Sequence, residues 1–118
     1  MSFKSIVITL ACATAVIAGD CNPNDPYGQE CVNVYGNANC DAGSQKTSYK
    51  PTCKGNCYVY PFNSLNVQGS YLYGTNCVAY SDKECKNKIG ESGNIVGQGN
   101  GKCANFSGGQ SMKCYYKC

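Results

Sequence analysis

The chain carries one long apolar run and after it only short ones. Ile6 to Ile17 (I-V-I-T-L-A-C-A-T-A-V-I) follows Lys4 and leads into small residues around Val16-x-Ala18. A positive start, an apolar run of this length and small residues at the end are the pattern of a secretory leader. It predicts cleavage after Ala18 or one residue later, with residues 1–18 as signal peptide and 19–118 as a single disulfide-stabilised secreted domain. The run is too short for an ordinary transmembrane helix, and no second apolar run of membrane length follows, so no membrane embedding is expected.

Beyond the leader the apolar positions alternate over short stretches, which is the period of half-buried strands. Residues 20–30 are rich in Asn, Asp, Pro and Gly and read as an irregular arm. Cys31-V-N-V-Tyr35 is a first strand, followed by a turn at 36–39 and a polar loop from Asp41 to Thr52. Cys57-Y-V-Tyr60 is a second, ended by Pro61, and Gly69-S-Y-L-Tyr73 a third, closed by G-T-N; these two are expected to pair as a hairpin. Cys77-V-A-Tyr80 is a fourth strand. Residues 86–102 are dominated by Gly, Asn and Lys and read as a long loop in which only Ile95-Val96 can form a brief strand. Ser111-M-K-C-Y-Y-K-Cys118 alternates throughout, placing Met112, Cys114, Tyr116 and Cys118 on one face and Lys113, Tyr115 and Lys117 on the other. One helical signal competes: Ser81-D-K-E is a capping box, and Ile89-Gly90 closes a short helix over 82–89. The fold class is therefore mainly β, a small disulfide-rich antiparallel sandwich or sheet with at most that one helix.

Cysteine content changes this picture from marginal to stable. Of eleven cysteines, Cys12 leaves with the leader, and ten remain: Cys21, Cys31, Cys40, Cys53, Cys57, Cys77, Cys85, Cys103, Cys114 and Cys118. An even number in a secreted chain implies five disulfides, each contributing about 2–4 kcal/mol by restricting the unfolded chain. Their pairing is open at this level. Cys53-x3-Cys57 and Cys114-x3-Cys118 also have spacings that suit zinc, but the chain has no histidine and the secretory route oxidises thiols.

Absent residue types narrow the chemistry further. With no His, Arg or Trp, triad hydrolysis, histidine metal ligation and bidentate arginine clamps are unavailable. Seven carboxylates would suffice for a two-carboxylate glycosidase, yet none lies in a recognisable motif, and Asp82 and Glu84 beside Lys83 and Lys86 read as a solvated turn. No catalytic residue, metal or cofactor is expected. Loss of Lys4 lowers the formal charge from +3 to +2, spread over scattered lysines, which does not suit nucleic acid.

Ten tyrosines are the most conspicuous recognition chemistry. Each offers stacking area and a hydroxyl, and alternation sends some of them outward. Tyr115 is the candidate contact residue, flanked by Lys113 and Lys117. Asn105-F-Ser107 is a glycosylation sequon and predicts a surface loop near Phe106. Tyr35-x4-Cys40 and Tyr80-x4-Cys85 repeat one spacing, each tyrosine expected to pack over a turn that its cysteine fixes.

The motifs C-V-A-Y-S-D-K-E-C, T-C-K-G-N-C-Y-V-Y and N-F-S-G-G-Q-S-M-K-C-Y-Y-K-C, with the leader, resemble fungal small secreted cysteine-rich proteins of the candidate-effector class. V-Y-G-N-A-N-C and A-Y-S-D-K-E-C also resemble the aromatic-x4-aromatic hairpin of βγ-crystallin-type domains, a fold used by some killer toxins, with Cys40 and Cys85 at the second aromatic position. The resemblance implies an extracellular, non-enzymatic, monomeric effector that meets a host protein or cell-surface component. A toxin against competing cells and a carbohydrate-binding module are the alternatives.

Overall fold

The computed structural model describes residues 29–97 and 101–118. The expected leader, its expected cleavage site and Cys21 lie outside the described residues.

Among the described residues six strands form one continuous antiparallel sheet: β1 (Cys31–Tyr35), β2 (Gln45–Tyr49), β3 (Tyr58–Gln68), β4 (Thr75–Tyr80), β5 (Lys88–Glu91) and β6 (Lys102–Tyr116), in the order β2-β1-β3-β6-β4-β5. The long central strands serve both halves. The C-terminal part of β3 lies between β1 and the start of β6, with Ser64 opposite both Tyr35 and Asn105. Its start, Tyr58-Val59, lies opposite Met112 and Ser111, which in turn pair with Ala79 and Tyr80 of β4. Bulges on either side of Phe62 separate the two parts. Bulges bend and twist a strand, and here the two ends of the sheet contribute to one core. Val32 and Val34 of β1 join Cys77 and Ala79 of β4, Leu65, Phe62 and Val67 of β3, and Phe106, Met112 and Cys114 of β6. Phe62 and Phe106 meet edge to face between the halves, centroids 6.1 Å apart.

The two halves are built alike. β1 and β4 each end in a tyrosine, Tyr35 and Tyr80, at a register shift. The next residue donates its N–H across the loop mouth, Gly36 to the Ser44 carbonyl and Ser81 to that of Asn87, both at 2.9 Å. Each loop holds a cysteine in the left-handed region, Cys40 at φ 51° and Cys85 at φ 55°. Each tyrosine pairs with a buried serine, Ser64 in β3 and Ser111 in β6, whose hydroxyl donates to the carbonyl two residues beyond the tyrosine, Asn37 and Asp82 respectively. The repeated Tyr-x4-Cys spacing is thus one structural unit used twice.

Disulfides then lace the halves together. Cys40 in the first loop bonds Cys103 in β6, and Cys85 in the second bonds Cys57 just before β3. Cys77–Cys114 joins directly opposed positions of β4 and β6, and Cys53–Cys118 ties the C-terminal residue to the segment before β3. Cys31 is disulfide-bonded as well. All four cysteines of the two zinc-like spacings are thereby consumed in bridges.

Several expectations are corrected. There is no helix over 82–89: the Asp82 carboxylate, rather than the Ser81 hydroxyl, accepts from the backbone, taking N–H bonds from Glu84 (3.0 Å), Lys86 (3.1 Å) and Asn87 (2.7 Å). That closes a tight turn, Cys85 takes a left-handed conformation, and β5 begins at Lys88. The strand expected to stop at Pro61 runs on to Gln68, because Pro61 falls within a bulge where no ladder N–H is required. Residues 69–73 are a turn rather than a strand, so the expected hairpin between 57–60 and 69–73 does not form. The polar stretches 41–52 and 86–102 contain the edge strands β2 and β5.

Candidate functional site

The turn between β3 and β4 holds the most exposed large apolar side chains of the described residues, Tyr71 at 65% and Leu72 at 69% exposure, with Tyr73 at 43%. Its backbone is fixed from several directions. Ser70 N–H donates to the Tyr73 carbonyl (2.9 Å), Tyr73 N–H to the Ser70 hydroxyl (3.2 Å), and Gly97 N–H to the Ser70 carbonyl (3.0 Å). The Tyr116 hydroxyl donates to the Ser70 hydroxyl at 2.8 Å. Gly69 is required at the base, since a Cβ there would lie 2.1 Å from the Ile95 carbonyl oxygen. This close approach is what turns an otherwise strand-like sequence away from the sheet.

Tyr73 packs edge to face on Tyr116, centroids 6.4 Å apart, and the Lys117 ammonium stands 4.5 Å from the centre of the Tyr73 ring. A cleft of about 320 Å³ opens beside the tip, lined by Gln29, Glu30, Ser70, Tyr71, Leu72, Tyr73 and Tyr116. Glu30 reaches Lys50 at 4.0 Å at its margin. The tip is therefore an apolar projection on a hydrogen-bonded turn, with both charge signs at its base.

The residues singled out in the sequence divide between two places. β6 ends at Tyr116, and Lys117 has φ 60°, so its side chain leaves the strand alternation and covers Tyr73. Lys113 and Tyr115 remain on the outer face of β6, opposite Val78 and Asn76 of β4. Tyr115 is half-buried rather than freely exposed: Gly55, at φ 66°, is so close that a Cβ there would lie 2.3 Å from the ring. Beside it is a cleft of about 470 Å³ lined by Gly74, Asn76, Glu91, Gly93, Asn94, Tyr115 and Cys118. Glu91 is anchored by the Lys88 ammonium and by the Asn76 amide at 3.2 Å, and these bonds hold its carboxyl below the ordinary range. Burial, and next the neighbouring Tyr115, raise the Tyr80 phenol on the same face.

Asn105 lies within β6 rather than in a surface loop. Its amide is paired with Asn39, accepting from the Asn39 N–H at 2.7 Å and donating to the Asn39 side-chain oxygen at 3.0 Å. Phe106 points to the opposite face and is buried, as strand alternation requires. Among the described residues no group of three or more His, Cys, Asp or Glu side chains is placed to hold a metal ion, and no helix is long and apolar enough to cross a membrane.

Sequence reasoning missed the tip. Its signal was available as three successive large apolar residues, Tyr71-Leu72-Tyr73, between Gly69 and Gly74, but the same residues have high strand propensity. Compared with family models, curated proteins and solved structures, the chain gives no match. Its several disulfides are typical of extracellular proteins.

Proposed function

We propose that this chain is a secreted, non-enzymatic recognition protein of the effector kind, which acts outside the cell by docking on a host protein at a cell surface. The observation that carries the reading is the Tyr71-Leu72-Tyr73 tip: large side chains projected from a turn fixed on both sides. Tyrosine gives large contact area with few rotatable bonds, and a preorganised tip avoids much of the ordering cost of association. The disulfide lacing supports survival outside cells, where unfolding leads to proteolysis. The absence of His and Arg from the sequence and the leader-like start support a binding role in the secretory route.

The test is one dose series of purified, fully oxidised protein on host cells, competing fungi and bacteria, with a reduced and alkylated sample beside it. Altered host defence output or host cell death, lost on reduction and with microbial growth unaffected, is the expected result. Killing of competing microbes without a host response would replace this reading with a toxin.

A further inference from the structure

We infer that the cleft beside Tyr115 is a second binding site, separate from the tip, and that it takes uncharged sugar units of a polysaccharide. The assignment follows from the chemistry of its walls. Tyr115 presents a ring whose position is set by Gly55 and by the pairing of its strand with Asn76 of β4 and Thr52. An aromatic ring held in this way is a platform for the C–H face of a pyranose. Around it stand Glu91 and Asn94, planar side chains that together accept from and donate to hydroxyl groups, with the Asn76 amide turned onto Glu91 behind them.

Charge at the site points to a neutral ligand. The Glu91 carboxylate is already paired with the Lys88 ammonium, and Lys113 lies on the neighbouring strand of the same face. An anionic ligand would meet Glu91, the charged side chain that lines the cleft, and a cationic one would have to displace the Lys88 ammonium from it. A hydroxyl ligand meets neither penalty and gains acceptors that are held in place before it arrives. The cleft also differs from the tip in kind: the tip offers Tyr71 and Leu72 to solvent, whereas this cleft sets one aromatic ring beside Asn76, Glu91 and Asn94, with Gly74, Gly93 and Cys118 completing its walls. Hydrogen-bonding side chains around a single ring suit a polyol better than a protein side chain.

The polar groups are secured from behind. Asn76 Nδ2 donates to Glu91 Oε1, the Ser92 hydroxyl accepts from Cys77 N–H at 2.9 Å, and Ser92 N–H donates to the Cys77 carbonyl at 2.8 Å. Thr75 and Ile95 exchange two further backbone bonds, which fixes the segment bearing Asn94 against β4.

Retention of the full mature protein on insoluble chitin, β-1,3-glucan and cellulose tests the assignment, with elution by the corresponding soluble oligosaccharide. Wild type is expected to be retained on at least one and released by its oligosaccharide. Tyr115→Ala and Asn94→Ala are each expected to lower retention at least tenfold, and a Tyr71→Ala/Leu72→Ala variant to behave as wild type. Asn94 is exposed, so its variant decides the matter if Tyr115→Ala fails to fold. Wild-type protein in the flow-through of all three polymers overturns the assignment, as does equal retention of wild type and Asn94→Ala. A tip variant that loses cell binding while keeping polysaccharide retention separates this site from the function proposed for the tip.

Discussion

Ser64 and Ser111 occupy equivalent positions in the two halves of the sheet, each opposite a strand-ending tyrosine and each donating its hydroxyl to the carbonyl two residues beyond it. Ser64 has a further role, accepting the Cys40 N–H at 2.9 Å. Replacing a buried hydroxyl that satisfies backbone groups costs about 1–3 kcal/mol. Ser64→Ala and Ser111→Ala are therefore both expected to destabilise within that range, with Ser64→Ala the larger. Chemical denaturation with disulfides intact measures both; a neutral Ser64→Ala would contradict the equivalence of the two loops.

Asp82 sets the acid limit of the second loop. Its three backbone N–H bonds favour the carboxylate and hold the group below its ordinary value. A carboxyl lowered in the folded state contributes stability above its unfolded pKa, and that contribution is lost as pH falls through the folded value. Thermal unfolding from pH 6 to pH 2 should fall more steeply for wild type than for Asp82→Asn. Parallel curves would remove Asp82 from this role.

The four bridges between described residues differ in access, so they should open in order. Cys53 and Cys118 are both exposed, whereas Cys77 and Cys114 are both buried in the core. Thiolate attack requires access to sulfur. Under mild reductant with timed alkylation, Cys53–Cys118 is expected to be lost first and Cys77–Cys114 last. Peptide mapping before reduction should return all four pairs.

Tyr49 should mark the alkaline limit. It is buried and stacked on Tyr58 at 3.9 Å between centroids, and burial raises its phenol far above the ordinary value of 10.0. A pKa raised in the folded state means stability that is complete below the unfolded pKa and declines as pH rises beyond it. In a spectrophotometric titration of the ten tyrosines, the Tyr49 phenol is expected to ionise only as the near-UV circular dichroism collapses. Loss of its contribution from an early, reversible phase in a Tyr49→Phe comparison would contradict this.

Three strands were legible: Cys31–Tyr35 with its bounds, although it is buried on both faces rather than on alternate positions, Cys77–Tyr80 within a β4 that begins earlier, at Thr75, and the C-terminal strand from Ser111 onward. The edge strands were not. Gln45-K-T-S-Tyr49 buries only Ser48 and Tyr49, and Lys88-I-G-Glu91 has no fully buried side chain, so neither carries an apolar period. Such polar, lysine-bearing edges suit strands that must not pair with other chains. The early part of β6 was hidden for a related reason: bulges around Phe62 interrupt its pairing, and Ser107, Gly108 and Gly109 read as loop residues.

The site was legible only in part. Lys113 and Tyr115 share an outer face as their spacing implies, but the left-handed turn at Lys117 is a backbone event that alternation does not encode. The tip depends on Gly69 lying against Ile95, a contact between residues far apart in the chain. Ser64 and Ser111 fall 29 residues after Tyr35 and 31 after Tyr80, a near-repeat that has meaning only once the tyrosines are known to be equivalent.

Binding of fluorescently labelled, fully oxidised protein to host cells, wild type against Tyr71→Ala/Leu72→Ala, decides whether the tip is the recognition surface. Both side chains are exposed, so the double variant should keep the wild-type melting temperature to within a few degrees. Saturable binding by wild type, weakened at least tenfold in the variant, is the predicted result. Equal binding by the two proteins, or no saturable binding by wild type, would contradict recognition through the tip.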